Sequence, residues 1–204
     1  MHLGLVFTTA VIKSRQMALH KVFVYGTLKK GEPNHFYFTN KANGYAKFIS
    51  AAETVKRYPL IIDTQYNIPF LIHKEGVGHC CNSELSVAAY TVQVRGMVCK
   101  DKNVIGEVYE VDDTMLKALD GLESHPDLYC RLEDHVRILN VKEVSSEMQP
   151  VLKCWIYFIL NLEKDIGSSF LSEYHSEGPH GKSYVRREKN VDYTVLKHQL
   201  HCKE

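Results

Sequence analysis

The chain of 204 residues lacks three features that would each point to a particular class of protein. It has no excess charge of one sign, because 25 Lys and Arg residues nearly balance 24 Asp and Glu residues; this argues against broad electrostatic binding to nucleic acid or to an anionic membrane. No apolar run approaches the roughly 20 residues that span a bilayer. The six cysteines show neither CxxC pairing nor zinc-ligand spacing, so we expect free thiols in a reducing compartment, the cytosol.

The first 16 residues also lack the marks of a secretory signal. Residues 3–12 are apolar, but no basic segment precedes them and no small-residue cleavage site follows. Lys13 and Arg15 follow without any acidic residue, which leaves an organelle-targeting segment as an alternative to a simple N-terminal extension. A chain of 204 residues suits one domain, and 45% hydrophobic residues are enough for a sizeable core.

Short strands dominate the predicted secondary structure. Runs rich in β-branched and aromatic residues, bounded by turn residues, predict strands at 22–25, 58–62, 70–73, 105–111, 135–139 and 154–159. One clear helix is predicted over 113–122, capped by Asp112 and with its apolar residues at helical spacing. We therefore expect an α+β fold, with a small, mostly antiparallel, barrel-like sheet and a few peripheral helices.

The first predicted strand runs directly into a small-residue turn, Tyr25, Gly26, Thr27 and Leu28, which we call the 25–28 turn. Gly26 lets the backbone turn sharply where the strand ends. Small residues there leave main-chain N–H groups uncovered, and such groups hold a carboxylate or a developing oxyanion. An ordinary strand-to-loop turn is the simpler interpretation of these four residues alone.

A second candidate is Glu123, at the end of the predicted helix and just before a proline-containing stop. A glutamate beside Leu122 and followed by a tight turn can be partly desolvated, which raises its pKa toward the range of a general base. From the residues alone, a solvent-exposed glutamate is the simpler interpretation, although a helix C-terminus does not favour a negative charge. Nearby Asp120 is interpreted as structural.

Several segments in order resemble the γ-glutamylamine cyclotransferase family, within the wider γ-glutamyl cyclotransferase-like and AIG2-like group. The resemblance extends over most of residues 17–188. The segments that carry it are YGTLKKGEPNH at 25–35, YPL at 58–60, YNIPFL at 66–71, GEVYEVD at 106–112, LDGLES at 119–124 and YHSEGPHG at 174–181. Their combination is specific, although no single segment is.

The resemblance implies a fold, a reaction and site residues. It implies the conversion of ε-(γ-L-glutamyl)-L-lysine and related γ-glutamyl amines to 5-oxoproline and free amine, as part of the breakdown of transglutaminase-crosslinked proteins. Glu123 falls on the family's catalytic glutamate, and the 25–28 turn would bind the γ-glutamyl head. No metal and no cofactor are implied, and the expected protein is a cytosolic monomer with no nucleic-acid or membrane partner. A γ-glutamyl cyclotransferase of different substrate range and a non-catalytic binding module of the same fold remain alternatives.

The resemblance also divides the chain. Residues 1–16 form an N-terminal extension, residues 17–188 the cyclotransferase-like domain, and residues 189–204 a C-terminal tail that we expect to be frayed. Residues 80–102 do not match the family. The segments on either side of them do, and these would form a continuous family-like sequence if residues 80–102 were removed, so we interpret residues 80–102 as an insertion. Metal sites at His79, Cys80, Cys81 and Cys99, or at His175, Glu177 and His180, are disfavoured by poor ligand spacing and a loop-like setting.

Overall fold

A computed structural model describes residues 18–74, 103–139, 149–160, 162, 170–186 and 196. The predicted N-terminal extension, the insertion at 80–102 and nearly all of the C-terminal tail therefore lie outside the described residues. The elements are β1 (Leu19–Val24), α1 (Phe36–Thr39), β2 (Ala46–Thr54), β3 (Leu60–Asp63), β4 (Ile68–Leu71), β5 (Ile105–Asp112), α2 (Asp113–Glu123), β6 (Cys130–Ile138) and β7 (Val151–Phe158).

Five of the strands close into a barrel in the order β1-β5-β2-β6-β7. Every neighbouring pair is antiparallel except β1 and β7, which close the barrel in parallel at Val22 and Trp155. Strands β3 and β4 form a separate antiparallel hairpin, joined to the end of β7 through a bridge between Ile72 and Ile159. The predicted α+β class with a mostly antiparallel, barrel-like sheet is confirmed.

Strand β2 was not predicted from the sequence, and its irregular pairing explains why. Its register with β5 shifts between Phe48 and Ser50, which marks a bulge or irregularity. As a result Phe48 and Ile49 are both exposed while Ser50 is buried, so the strand does not alternate apolar and polar residues. A strand prediction that depends on alternation cannot recognise such a segment.

Helix α2 forms where its sequence predicts it. The Asp112 carboxylate caps it by accepting a hydrogen bond from the Met115 N–H at 2.8 Å. Met115, Leu116 and Leu119 are buried on one face, against the larger of two hydrophobic clusters. The helix ends at Glu123 because Ser124 adopts a left-handed backbone with φ of 52°. The end of α2 therefore presents Glu123 at a fixed point beside the barrel.

The segment 170–186 runs across the hairpin and the start of the barrel. The Leu171 N–H donates to the Leu60 carbonyl at 2.9 Å, and the Ile105 N–H donates to the Ser172 carbonyl at 2.7 Å. Farther along, the Val185 N–H donates to the Tyr66 carbonyl at 3.0 Å. These bonds attach the segment to both ends of the hairpin.

Leu196 is the one described residue of the C-terminal tail. It is fully buried in the larger hydrophobic cluster, which is contrary to the expectation of a frayed end at that position. None of the helices in the described residues is both long and apolar enough to cross a membrane.

Candidate active site

The 25–28 turn and Glu123 line a single pocket. The turn ends β1 and Glu123 ends α2, so two elements adjacent to β5 bring them together. The pocket encloses about 470 Å³, part of which is open solvent. Its other lining residues are Phe23, Val24, Asn34, Ile68, Pro69, Leu122, Tyr129 and Tyr157.

Gly26 is required here for space rather than for an unusual backbone angle. The φ angle of Gly26 lies outside the left-handed region, so other residues could adopt the same backbone conformation. The sharp turn expected from the sequence therefore does not explain why glycine occupies this position. A Cβ at this position would lie 2.5 Å from Cγ of Pro69. Pro69 belongs to β4, where it pairs with Ile62, so the hairpin presses its proline ring directly on the glycine. The close approach of these two residues shapes the floor of the pocket.

The 25–28 turn is held by its carbonyl and hydroxyl oxygens. The Lys29 N–H donates to the Gly26 carbonyl at 3.1 Å, and the Asn34 N–H donates to the Thr27 carbonyl at 2.8 Å. The Asn34 side chain also donates to Oγ1 of Thr27 at 3.0 Å. Within the described residues, the N–H groups of Gly26, Thr27 and Leu28 donate no hydrogen bond. These are donors of the kind that hold a carboxylate or an oxyanion.

Asn34 was not predicted as a pocket residue. It lies beyond the turn in the sequence and returns to it only because two hydrogen bonds fold residues 27–34 into a closed loop. The sequence offered no local signal for this return.

Glu123 is half-buried at the C-terminal end of α2 and lines the pocket together with Tyr25 and Tyr157. Burial raises the pKa of Tyr25 well above its ordinary value, and the Glu123 charge raises it further. Burial, the hydrogen bond to Asp120 and the charges of Asp120 and Glu123 likewise raise the pKa of Tyr157. Both phenols therefore remain protonated at neutral pH, and Glu123 is the acidic side chain that lines the pocket.

A hydrogen-bonded network supports this side of the pocket. The Tyr25 hydroxyl donates to the Tyr157 carbonyl at 2.8 Å, and the Tyr157 hydroxyl donates to Oδ1 of Asp120 at 2.7 Å. Two nitrogens of the Arg131 guanidinium donate hydrogen bonds to the Asp120 carboxylate, at 2.8 and 3.1 Å. The Arg131 guanidinium in turn lies 4.7 Å from the centre of the Trp155 ring. The structural interpretation of Asp120 agrees with this ion pair.

Tyr129 and Pro69 line the pocket and contact each other. The Tyr129 ring lines the pocket and stacks on Phe70, while its hydroxyl donates to the Pro69 carbonyl at 3.0 Å. Within the described residues the cis peptide bond is His125–Pro126, directly after the helix that holds Glu123. Ile68 and Pro69 line the pocket.

His175 belongs to an ion-pair cluster beside the 25–28 turn. Its Nδ1 lies 3.2 Å from Glu32, and its Nε2 lies 3.3 Å from Glu173. Glu173 also pairs with the buried Lys29 at 3.0 Å. Among the described residues no three His, Cys, Asp or Glu side chains form a group that could hold a metal ion. The other suggested metal site, around Cys80, lies outside those residues.

The fold is a small α+β barrel, and one pocket beside it is lined by both Glu123 and the 25–28 turn. Comparison with known proteins identifies the family. The gamma-glutamyl cyclotransferase, AIG2-like family matches residues 22–89 and 85–177. A gamma-glutamylaminecyclotransferase C of Danio rerio is 37% identical over 86% of this chain and 99% of its own length. The human gamma-glutamylaminecyclotransferase is 36% identical over 82% of this chain and 97% of its own.

A solved structure agrees with these relatives. The crystal structure of a mouse AIG2-like protein superimposes with a TM-score of 0.63 and 31% identity, covering 84% of this chain and 99% of that one. The chain belongs to the gamma-glutamyl cyclotransferase, AIG2-like family. It is a cyclotransferase enzyme.

Proposed function

We propose that this enzyme is a γ-glutamylamine cyclotransferase in which Glu123 is the catalytic acid–base group and the 25–28 turn binds the γ-glutamyl head. The observation that carries the proposal is that Glu123 and the turn line the same pocket. The names of the human and zebrafish relatives support the reaction class.

The reaction is an intramolecular aminolysis. The free α-amino group of the substrate attacks its own δ-carbonyl carbon, a C–N bond closes the five-membered ring, and the bond to the leaving amine breaks. The α-amine is mostly protonated at neutral pH, so a base must remove a proton before the attack. Glu123 takes one proton from the α-ammonium group before the attack and gives it to the leaving nitrogen as the C–N bond breaks. It then takes the second proton from the ring nitrogen and passes it to the released amine, so two protons move from one nitrogen to the other and the reaction balances without water or a cofactor.

The enzyme's other task is to hold a folded conformer of the substrate. Both reacting groups already belong to one molecule, so the rate gain comes from orientation. In this proposal the N–H groups of Gly26, Thr27 and Leu28 bind the γ-glutamyl head and stabilise negative charge on the δ-oxygen. Their lack of other hydrogen bonds within the described residues supports this role.

The substrate that we propose is ε-(γ-L-glutamyl)-L-lysine, the isodipeptide left when transglutaminase-crosslinked proteins are degraded. The purified protein should release lysine and 5-oxoproline from the isodipeptide faster than it converts glutathione or γ-glutamyl-alanine. Faster turnover of either of those would favour a γ-glutamyl cyclotransferase of different range. No turnover of any γ-glutamyl compound, together with measurable binding, would favour a non-catalytic module.

The proposal also covers the setting of the enzyme. We infer that it acts in the cytosol as a monomer, without a nucleic-acid or membrane partner. The free thiols of Cys130 and Cys154 support a reducing compartment.

A further inference from the structure

The Asp120 carboxylate is the centre of a charge-assisted network next to the pocket. Its Oδ1 accepts hydrogen bonds from Nε of Arg131 and from the Tyr157 hydroxyl, and its Oδ2 accepts one from the second Arg131 nitrogen. All three bonds lie between 2.7 and 3.1 Å. Arg131 supplies two of these bonds, and a carboxylate in an ion pair with a guanidinium only accepts hydrogen bonds.

This arrangement fixes the direction of the Tyr157 hydroxyl. A phenol has one proton, and here that proton is given to Asp120. The phenol oxygen can then only accept a further hydrogen bond. Donation to a charged acceptor also polarises the hydroxyl and makes its oxygen a better acceptor.

The accepting oxygen belongs to a side chain that lies beside Glu123. Asp120 and Glu123 are three residues apart in α2, so their side chains share one face of the helix. Tyr157, which is bonded to Asp120, lines the same pocket as Glu123. The charge of Glu123 also contributes to the raised pKa of Tyr157, as expected for close neighbours.

The three pocket tyrosines have different hydrogen-bond partners. The Tyr25 and Tyr129 hydroxyls each donate to a neutral backbone carbonyl, those of Tyr157 and Pro69. The Tyr157 hydroxyl instead donates to the charged Asp120 carboxylate, one turn before Glu123 on α2. This bond orients the Tyr157 oxygen as an acceptor next to the proposed base.

We propose that the Tyr157 hydroxyl oxygen is a second acceptor for the α-amino group of the substrate, and that Asp120 is the positioning residue that holds this hydroxyl in its accepting orientation. The inference rests on the cyclotransferase function proposed above. An ammonium group donates one N–H to Glu123 and another to Tyr157. Once Glu123 has taken its proton, the bond to Tyr157 fixes rotation about the Cα–N bond and directs the lone pair at the δ-carbonyl.

The test compares two ligands that differ only in the α-amino group. One is the isodipeptide, and the other is Nε-glutaryl-lysine, which has no α-amine in its acyl part, cannot close the ring and serves as a competitive inhibitor. In Tyr157→Phe, kcat/KM for the isodipeptide should fall by about 10-fold to 100-fold, as expected for one hydrogen bond to a charged group. The inhibition constant of Nε-glutaryl-lysine should not change.

If Tyr157 has only a structural role, Tyr157→Phe should lower kcat/KM for the isodipeptide and also raise the inhibition constant of Nε-glutaryl-lysine. That result overturns the inference. An unchanged kcat/KM for the isodipeptide overturns it as well. The matched control is Tyr174→Phe, which removes a buried hydroxyl that donates to the Asn67 carbonyl. Tyr174 does not line the pocket, so this variant should shift the melting temperature without separating the two ligands. Inactive wild-type protein would refute the function itself, whereas active wild type with an insensitive Tyr157→Phe refutes only the inference.

Asp120 is tested by coupling it to Tyr157. Asp120→Asn should lower kcat/KM in the wild type but have little further effect in a Tyr157→Phe background, because it acts through the hydroxyl that is already gone. Additive losses in the double variant would contradict a positioning role. If Asp120→Asn does not fold, because Arg131 loses its charged partner, the comparison of ligands in Tyr157→Phe decides alone.

Discussion

Replacing Gly26 with alanine tests whether close contact with Pro69 shapes the pocket. The new Cβ would lie 2.5 Å from Cγ of Pro69, whereas carbon atoms in contact prefer about 3.5–4.0 Å. The separation must therefore grow by roughly 1 Å or more. Pro69 cannot easily yield, because it pairs with Ile62 and its carbonyl accepts the Tyr129 hydroxyl. The strain falls on the 25–28 turn.

Overpacking of this kind costs about 1–3 kcal/mol, which corresponds to a fall in melting temperature of roughly 2–12 °C for a chain of this size. Because the turn carries the proposed donors, kcat/KM should fall by up to about 100-fold, measured under conditions where the variant is fully folded. Thermal unfolding and steady-state assays measure the two effects separately.

Gly121→Ala is the matched control for the same chemical change. Gly121 is exposed in α2, and a Cβ there would meet no atom within 4 Å. Alanine should therefore stabilise the helix by up to about 1 kcal/mol, with turnover retained. A Gly26→Ala protein as stable and active as wild type would show that contact with Pro69 does not hold the turn in place.

Three further predictions concern other parts of the molecule. Although burial alone raises the pKa of Glu173, the hydrogen bond and charge of Lys29 lower it from 4.5 overall. The ion pair of Glu173 with Lys29 should therefore stabilise the fold at pH values above 4.5, and this contribution should be lost as the pH falls through the lowered pKa of Glu173. The melting temperatures of wild type and Glu173→Gln should differ at neutral pH and converge in acid. Burial raises the pKa of the Cys154 thiol to about 12, against a smaller opposite effect of the Lys21 charge. Iodoacetamide should therefore label Cys154 only after unfolding, as measured by mass spectrometry of the peptide that contains it. Rapid labelling of Cys154 in the native protein would contradict its burial. Deleting residues 80–102 should leave a soluble, active and no less stable protein, and a chain that unfolds on deletion would show that they belong to the core.

Local sequence signals predicted the parts of the fold that depend on nearby residues. The cap at Asp112 and the apolar spacing of α2 both lie within a few residues, so the helix was predicted within one residue of its end. Strand β2 was missed because its bulge interrupts the alternation on which strand prediction depends. Its neighbours in the barrel, rather than its own sequence, determine that it is a strand.

The candidate site shows the same division. Glu123 and the 25–28 turn were predicted through a family resemblance, because neither stands out as a site by its residues alone. The contact of Gly26 with Pro69 joins β1 to the hairpin, and the bond of Asp120 to Tyr157 joins α2 to β7. Such contacts depend on how distant segments meet in the barrel, so the sequence alone did not reveal them.

The central claim is that Glu123 moves the proton, and a comparison of Glu123→Gln with wild type on the isodipeptide tests it most directly. Glutamine keeps the size and most of the hydrogen bonding of glutamate but cannot act as a base. We expect kcat to fall by about 10²–10⁴-fold, while the melting temperature and the inhibition constant of Nε-glutaryl-lysine remain close to the wild-type values. Glu110→Gln, the same change in β5 outside the pocket, should keep wild-type turnover. A loss of less than tenfold in Glu123→Gln would contradict the assignment of Glu123 as the base.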